Sequence, residues 1–364
     1  MSNGNDLDEL KGFVVAHAVS QQLPAGHYQG VLDRITSDSG DGQGSWAHEW
    51  TLAGQRREDA GQLLEAGRLY TLGRFPFEDG AGRQHALRRS VDAFDRWRRA
   101  EQPAITSETV DVDGVPVRVW TIGLSADAPR PLLVMTGGIV STKEQWGPYL
   151  PQIAALGMAG VVAELPGVGE NPLRYDRDAA RLFPAILDGF ADRARTAESY
   201  LLALSFSGHL ALTAALGDPR IRGVVGNGMP VHDFFTDAGW QSRVPRVTRD
   251  TLAHLAGVPA AEVFAHIRDW ALDEDALAGL TVPVAAVTAR RDEIIPPGDA
   301  DLLRGHVADL RLLEHDDVHG APRHLAETAV WSLLAVQLMR PDAPPGVVAG
   351  LTEALAVARA AAAR

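Results

Sequence analysis

The stretch YLLALSFSGHL, residues 200–210, decides the fold. Its first five residues are an apolar run typical of a buried strand, and small residues and a helix-like apolar segment follow. A tight strand-to-helix turn of this kind can present a nucleophile, provided that the residues two before and two after it are small. Ser205 meets this condition with Ala203 and Ser207, although the segment does not read G-x-S-x-G. For Ser207 the residue two positions on is His209, which is too large, so the pattern favours Ser205.

On both sides of this turn, short apolar strand-like segments alternate with helix-like ones. Such alternation predicts a mostly parallel sheet with helices on both faces, and therefore an α/β fold. Between Val231 and Leu280 no strand-like run occurs, which predicts a helical lid insertion, about residues 231–280, over the strand ends. The alternating segments are PLLVMT, EQWGPYLPQIAALG, AGVVAEL, RLFPAILDGFADRA, YLLAL, HLALTAALG, IRGVVGN, VPVAAVT and LRLLEH.

The spacing of the apolar residues changes from helix-like to strand-like near residue 105. Before it, AGQLLEAGRLYTLG and HALRRSVDAFDRWRRA carry apolar residues at helical spacing, and SDSGDGQGS reads as a loop. After it, ETVDVDGVPVRVWTI alternates valines around Asp-Gly, the signal of a hairpin. We therefore predict an N-terminal helical domain at 1–104, a catalytic domain at 105–340 and a helical tail at 341–364.

Composition excludes several classes of chemistry and of binding partner. The 364 residues include no cysteine, which excludes disulfides and thiolate chemistry, and the net charge of −13 argues against nucleic acid and anionic lipid. The polar, acidic N-terminus has no secretory pattern, and we expect no segment to approach the ~20 apolar residues of a membrane helix. We predict a cytoplasmic protein with a small-molecule substrate, no metal and no cofactor.

Partners for Ser205 occur later in the chain. Asp292 follows the strand-like VPVAAVT and His319 follows LRLLEH, which gives the order Ser, Asp, His. Glu293 remains an alternative acid, and His315 an alternative base. We favour His319 because it lies on the loop beside Gly320, whereas His315 ends the strand, and we expect His209 to be a packed histidine.

Backbone amides are needed to stabilise the charge that develops on a carbonyl oxygen. The segment VMTGGIVSTKEQW follows the first central strand, and Gly137 and Gly138 let its backbone turn toward a ligand. We predict that the amides of Gly138 and Phe206 form the oxyanion hole. We expect the glycine-rich turn ELPGVGE, residues 164–170, only to pack near the site.

Four of these segments together carry a family resemblance. TGGIVSTKEQW, AELPGVGE, ALSFSGHLAL and DPRIRGVVGNG resemble the two-domain α/β-hydrolases named for the fermentation-respiration switch esterase, a group that includes 2,6-dihydroxypseudooxynicotine hydrolase. The resemblance covers nearly the whole chain. It implies an α/β-hydrolase fold, an N-terminal helical cap that lines an aromatic pocket, and a homodimer.

The same resemblance assigns site residues. It makes Ser205 the nucleophile, Asp292 the acid and His319 the base. It also places Lys143 and Glu144 in the family's GG-x-x-x-x-KE signature, where we interpret them, with Gly137, as support for the oxyanion loop. Two departures stand out: Ala203 and Ser207 replace glycines at the elbow, and RTAESYLLAL lacks the family's Asp-x-x-Arg approach.

These residues predict a serine hydrolase that works through an acyl-enzyme. The bond cleaved would be an ester, a thioester or a β-diketone carbon–carbon bond of a small aromatic or polyketide-like metabolite, with composition suggesting secondary metabolism. One alternative is a non-hydrolytic acyl-transfer catalyst that closes a lactone or another ring. Another is a binding protein on a hydrolase scaffold.

Overall fold

The computed structural model describes residues 5–362. The ends of the predicted N-terminal domain and tail, residues 1–4 and 363–364, lie outside the described residues. Within the described range an N-terminal set of helices precedes an eight-stranded sheet that carries helices on both faces.

The sheet is mostly parallel, as predicted. Its strands lie in the order β1-β2-β4-β3-β5-β6-β7-β8; β1 and β2 form an antiparallel hairpin, β2 is antiparallel to β4, and the remaining neighbours are parallel. The predicted hairpin is confirmed, and Asp113 and Gly114 adopt the positive φ angles, 53° and 83°, that its tight turn needs. The strands are β1 Thr106–Val112, β2 Val115–Ile122, β3 Pro131–Thr136, β4 Ala159–Ala163, β5 Arg195–Leu204, β6 Ile221–Asn227, β7 Val284–Ala289 and β8 Leu310–His315.

The helices between the strands follow the predicted segments with one difference. The segment EQWGPYLPQIAALG was expected to be one helix, but it is divided by a 3₁₀ turn, Gly147–Tyr149. Pro148 and Pro151 explain the division, since proline has no N–H to give to a preceding carbonyl. The helices are α6 Lys143–Trp146, α7 Leu150–Ala155, α8 Leu182–Gly189, α9 Phe206–Gly217, α15 Pro297–His306, α16 Leu325–Met339 and α17 Pro345–Ala362; the helices before β1 and those between β6 and β7 are described below.

The N-terminal helices pack directly on the sheet layer. Phe94 and Trp97 of the last of them share one apolar core with Trp120 and Leu133 of the sheet, and the rings of Phe94 and Trp120 lie 5.0 Å apart. Gly147 is required here, because a β-carbon at that position would lie 2.3 Å from Phe94 Cζ. The helices are α1 Leu7–Ser20, α2 Ala25–Arg34, α3 Trp46–Asp59, α4 Leu63–Arg74 and α5 Ala81–Glu101.

Between β6 and β7 the chain forms helices without a strand; this is the segment that the sequence predicts to be a lid, and it is called the lid segment here. Asp299 of α15 anchors the start of this segment by accepting hydrogen bonds from the backbone N–H groups of Val231, His232 and Asp233, at 2.9, 3.0 and 2.6 Å. The lid segment also contacts the N-terminal helices, because Val247 belongs to their apolar core. The helices of the lid segment are α10 Asp233–Thr236, α11 Ala238–Gln241, α12 Arg246–Ala256, α13 Val263–Ile267 and α14 Glu274–Ala278.

The final helix corrects one expectation. By length and composition alone, α17 is apolar enough to cross a membrane, whereas the sequence was expected to contain no such segment. Alanine accounts for much of this apolar character, and Glu353 and Arg359 interrupt it. The helix lies against α16, where Arg359 forms a 2.7 Å ion pair with Glu327. A single helix of this kind is weak evidence for a membrane span.

Candidate active site

Ser205 occupies a strained turn between β5 and α9. Its φ and ψ angles are 55° and −129°, a region that non-glycine residues avoid and that is found where function requires it. The Ser205 N–H donates to the carbonyl of Asn227 at the end of β6, with a distance of 2.7 Å. Ala203 on the strand is buried, and Ser207 on the helix points inward. The turn therefore holds the Ser205 hydroxyl at the carboxyl edge of the sheet.

The hydroxyl meets the imidazole of His319. Ser205 Oγ lies 2.9 Å from His319 Nε2, and His319 Nδ1 lies 3.0 and 2.9 Å from the two carboxylate oxygens of Asp292. Asp292 is held in turn by the backbone N–H groups of Ile294 and Ile295, at 2.9 and 2.8 Å. The carboxylate thus fixes the ring so that its other nitrogen faces the serine.

The alternative nucleophile, acid and base that the sequence offers do not take part in the contacts between Ser205, His319 and Asp292. Glu293 accepts a hydrogen bond from the backbone N–H of His319 at 3.0 Å and does not contact the ring nitrogens. Ser207 donates to the carbonyls of Thr136 and Leu204, and His315 bonds Thr328 Oγ1 at 3.2 Å. His209 is the packed histidine that we expected: it bonds Trp270 O at 2.8 Å, and burial lowers its pKa to about 4.

The loop between β3 and α6 lies against Ser205. A β-carbon on Gly138 would lie 3.0 Å from Ser205 Cβ, so only glycine lets this backbone approach so closely. Gly137 is confined as well, by Ser141 and the Trp146 ring. Phe206 begins α9, where an amide has no partner inside the helix. Both predicted oxyanion donors therefore flank the serine.

Lys143 and Glu144 are buried behind this loop. Lys143 Nζ lies 3.0 Å from Glu144, 3.2 Å from Glu164 and 2.7 Å from Glu170, so the turn at 164–170 supplies two of the three carboxylates. Burial alone would lower the pKa of Lys143, but the three carboxylates raise it above its usual range. The lysine stays charged and ties the loop to the end of β4.

A cavity of about 440 Å³ opens over Ser205 and His319. One wall is α1, which contributes Glu9, Phe13 and His17, and Phe75, the residue after α4, also lines the cavity. The other walls come from the loop between β3 and α6, the helix α12 and the loop that carries His319. Most lining groups are apolar, which is the usual form of a small-molecule site. Phe13 and Phe75 are the aromatic residues that the N-terminal helices and the residue after α4 contribute to this cavity, besides His17.

Three polar residues of the N-terminal helices line the cavity or contact the loop beside it, and the sequence does not predict them as site residues. Glu9 accepts the backbone N–H groups of Arg246 and Val247, both at 2.8 Å, and so caps α12. His17 lines the cavity, and burial, followed by the charges of Arg74 and His319, lowers its pKa to about 3. Arg74 is buried and donates to the carbonyl of Val140 in the loop between β3 and α6. No motif marks these residues, because their partners are distant in the sequence.

One group of side chains within residues 5–362 is close enough to suggest a metal site. The ligand atoms of His315, His324 and Glu327 lie within 4.8 Å of one another. The two imidazoles are stacked, however, with centroids 4.2 Å apart and planes 11° apart, so their lone pairs do not converge. Glu327 is already paired with Arg359. The arrangement fits a stacked histidine pair better than a coordination sphere.

The sheet order, the strained serine turn and the serine–histidine–aspartate contacts define an α/β-hydrolase. The family model described as "Esterase FrsA-like" matches residues 31–322, and the chain belongs to this family of enzymes. The resemblance drawn from the sequence is thereby confirmed.

Individual relatives agree with this assignment. The chain is 54% identical to wild-type AbyA5, whose solved structure superposes with a TM-score of 0.93 over 97% of this chain and 99% of that one. It is 25% identical over 299 residues to Esterase FrsA of Escherichia coli strain K12, which covers 74% of this chain and 71% of that protein. The crystal structure of 2,6-dihydroxy-pseudo-oxynicotine hydrolase, at 21% identity and a TM-score of 0.71 over 90% of this chain and 97% of that one, shows the same fold.

We expect the activity to depend on pH through His319. Burial would lower the pKa of His319, but the charge and hydrogen bond of Asp292, with the charge of Glu293, raise it above 6.5. A general base must be neutral, so kcat/KM should fall as the pH drops through this raised pKa. In Glu293→Gln one negative charge is removed while an acceptor for the backbone N–H is kept, so the midpoint should move to lower pH.

The measurement is kcat/KM for an ester between about pH 5 and 9. Glu9→Gln is the matched control, since Glu9 also lines the cavity but is not among the groups that shift the pKa of His319. An unchanged midpoint in Glu293→Gln, or one moved to higher pH, would contradict the electrostatic account.

Proposed function

We propose that this chain is a serine hydrolase that cleaves an ester bond of a small, largely apolar metabolite through an acyl-enzyme. The observation that carries the proposal is the 2.9 Å contact between Ser205 Oγ and His319 Nε2, with Asp292 on the other ring nitrogen. Membership of an esterase family supports the bond type, and a cavity of about 440 Å³ suits a small substrate.

The proposed mechanism follows from these contacts. His319 removes the proton from Ser205 Oγ, and the oxygen attacks the substrate carbonyl to give a tetrahedral intermediate. The amides of Gly138 and Phe206 donate hydrogen bonds to its oxyanion. His319 then passes its proton to the leaving alcohol, which departs and leaves an acyl-Ser205. Water, deprotonated by His319, attacks this acyl group, and the proton returned to Ser205 releases the acid.

Positioning groups complete the proposed site. Asp292 keeps His319 in the required orientation and stabilises the imidazolium as it forms. Lys143 and Glu144, with Gly137, support the loop that carries the Gly138 amide. The N-terminal helices form the cap that closes the cavity. The homodimer implied by the family, the cytoplasmic location and a role in secondary metabolism remain predictions, and sedimentation of the purified chain tests the first.

Product analysis tests the proposed function. A panel of p-nitrophenyl esters, a matched thioester and a β-diketone would be incubated with the full chain, and product masses would be measured in ordinary and ¹⁸O-labelled water. We expect ester cleavage, with the label in the released acid. Products without added water would instead indicate ring closure or another transfer. Labelling by a fluorophosphonate should occur at Ser205, and an inert chain would refute the proposal.

A further inference from the structure

Arg74 is a charged side chain that is almost completely buried beside the loop between β3 and α6. It is the last residue of α4 and is 1% exposed. Its guanidinium donates to the carbonyl of Pro76 at 2.7 Å and to the carbonyl of Val140, and its Nε lies 3.5 Å from a carboxylate oxygen of Glu78. A buried cation is costly unless it is paired, and Arg74 is held by two backbone carbonyls and by the charge of Glu78, although its Nε makes no hydrogen bond.

Val140 belongs to the loop between β3 and α6, residues 137–142, which is called the oxyanion loop here because it carries the predicted Gly138 donor. It lies two residues after Gly138, the glycine in contact with Ser205. The loop is tied from within by Ser141 N–H to Gly138 O at 3.1 Å and by Thr142 N–H to the Gln145 side chain at 3.0 Å. From the side of the N-terminal helices, Arg74 supplies the hydrogen bond to its backbone.

We propose that Arg74 is a positioning residue that sets the oxyanion loop and thereby aims the Gly138 amide at the reacting oxygen. This inference rests on the proposed function, since it assumes that an oxyanion forms at Ser205. A charge-assisted hydrogen bond fixes a backbone carbonyl more firmly than a neutral one does. An amide two residues away then holds its direction before the substrate binds, which is what transition-state stabilisation requires.

The position of Arg74 explains why an α/β-hydrolase should need its N-terminal helices for chemistry as well as for binding. Two contacts support the loop: the buried Lys143, which pairs with Glu164 after β4, and Arg74 of the N-terminal helices, which donates to Val140. Phe75, the next residue, lines the cavity. The end of α4 thus contacts the substrate space and the oxyanion loop at the same time.

The test compares Arg74→Met and Arg74→Lys with the unaltered full chain. We expect kcat for p-nitrophenyl butyrate to fall about 100-fold in Arg74→Met, with a smaller change in KM, because the amide is displaced in the transition state. Affinity for a phenyl trifluoromethyl ketone, whose adduct with Ser205 carries an oxyanion, should fall in parallel. Arg74→Lys keeps the charge and should recover part of both losses.

Arg340→Met is the matched control. Arg340 is also a buried arginine that donates to a backbone carbonyl, that of Leu156, and pairs with Asp342, but it lies away from the catalytic loop. We expect this variant to lower the melting temperature while kcat and ketone affinity stay within about 3-fold of the unaltered chain.

The outcomes separate the two proposals. If the unaltered chain neither cleaves the ester nor binds the ketone, the proposed function fails and this inference fails with it. If the unaltered chain is active and Arg74→Met keeps its kcat and ketone affinity, Arg74 has no positioning role. If Arg74→Met does not fold, Arg74→Gln decides, because glutamine is polar but cannot donate a charge-assisted hydrogen bond to Val140: a folded glutamine variant with undiminished kcat and ketone affinity overturns the inference.

Discussion

Replacing Ser205 with alanine is expected to abolish turnover, with a loss in kcat of about 10⁶-fold. The reason is that the hydroxyl hydrogen-bonded to His319 is the attacking group in the proposed mechanism. The fold should be retained, because the turn is held by the Ser205 N–H and not by its side chain. Turnover of a p-nitrophenyl ester, fluorophosphonate labelling and circular dichroism together measure these effects.

Ser207→Ala is the matched control for this variant. Its hydroxyl bonds the carbonyls of Thr136 and Leu204, so its loss should cost about 1 kcal/mol of stability and leave substantial activity. His319→Ala should be as inactive as Ser205→Ala, and the double variant no worse, because members of a triad act as a unit. A dead Ser207→Ala beside an active Ser205→Ala would show that the nucleophile is misassigned.

A chain that begins at Ala104 is expected to lose at least about 100-fold in kcat/KM on esters that fill the cavity, although Ser205, Asp292 and His319 all remain. The truncation removes the α1 wall of the cavity and the Arg74 contact to the oxyanion loop. It also uncovers the apolar surface on which Phe94 and Trp97 pack. Turnover of a bulky and a small activated ester, with binding of an environment-sensitive dye, measures these losses.

Glu9→Ala tests the same cap in the full chain. It removes the two hydrogen bonds to the N-terminus of α12, and a helix cap of this kind is worth about 1 kcal/mol. We expect a larger rise in KM for the bulky ester than for the small one, with labelling of Ser205 preserved. For the truncated chain that begins at Ala104, full activity on both esters in a soluble protein would show that the N-terminal helices do not contribute to the active site.

The residues near the serine could be anticipated from the sequence because local rules act there. The small residues around Ser205 follow from the sterics of a strand-to-helix turn, and the order Ser205, Asp292, His319 follows from the succession of strands. The hairpin at Asp113 and Gly114 is likewise a local signal. The turn signals lie within a few residues, whereas Asp292 and His319 are distant from Ser205 and could be predicted because each follows a late strand of the sheet.

The family resemblance implies a helical cap, but the individual cap residues at the site could not be predicted, because they depend on contacts between distant segments. Glu9 caps a helix that begins at Arg246, and Arg74 bonds the carbonyl of Val140. His17 lines the cavity although it has no motif. A charged residue on a predicted amphipathic helix is usually solvated, so sequence alone favours the wrong environment for Arg74. Only the packing of the helices on the sheet reveals these partners.

The apolar core shared by the N-terminal helices and the sheet has a thermodynamic consequence. Phe94 and Trp120 are buried against each other, and Val247 of the lid segment is part of the core of α1 to α4. Neither side can unfold without exposing apolar surface of the other, so the change of sequence character near residue 105 does not mark a boundary of cooperativity. The chain should melt in one calorimetric transition. Mutations that reshape the cavity wall should therefore also change the free energy of unfolding of the whole chain.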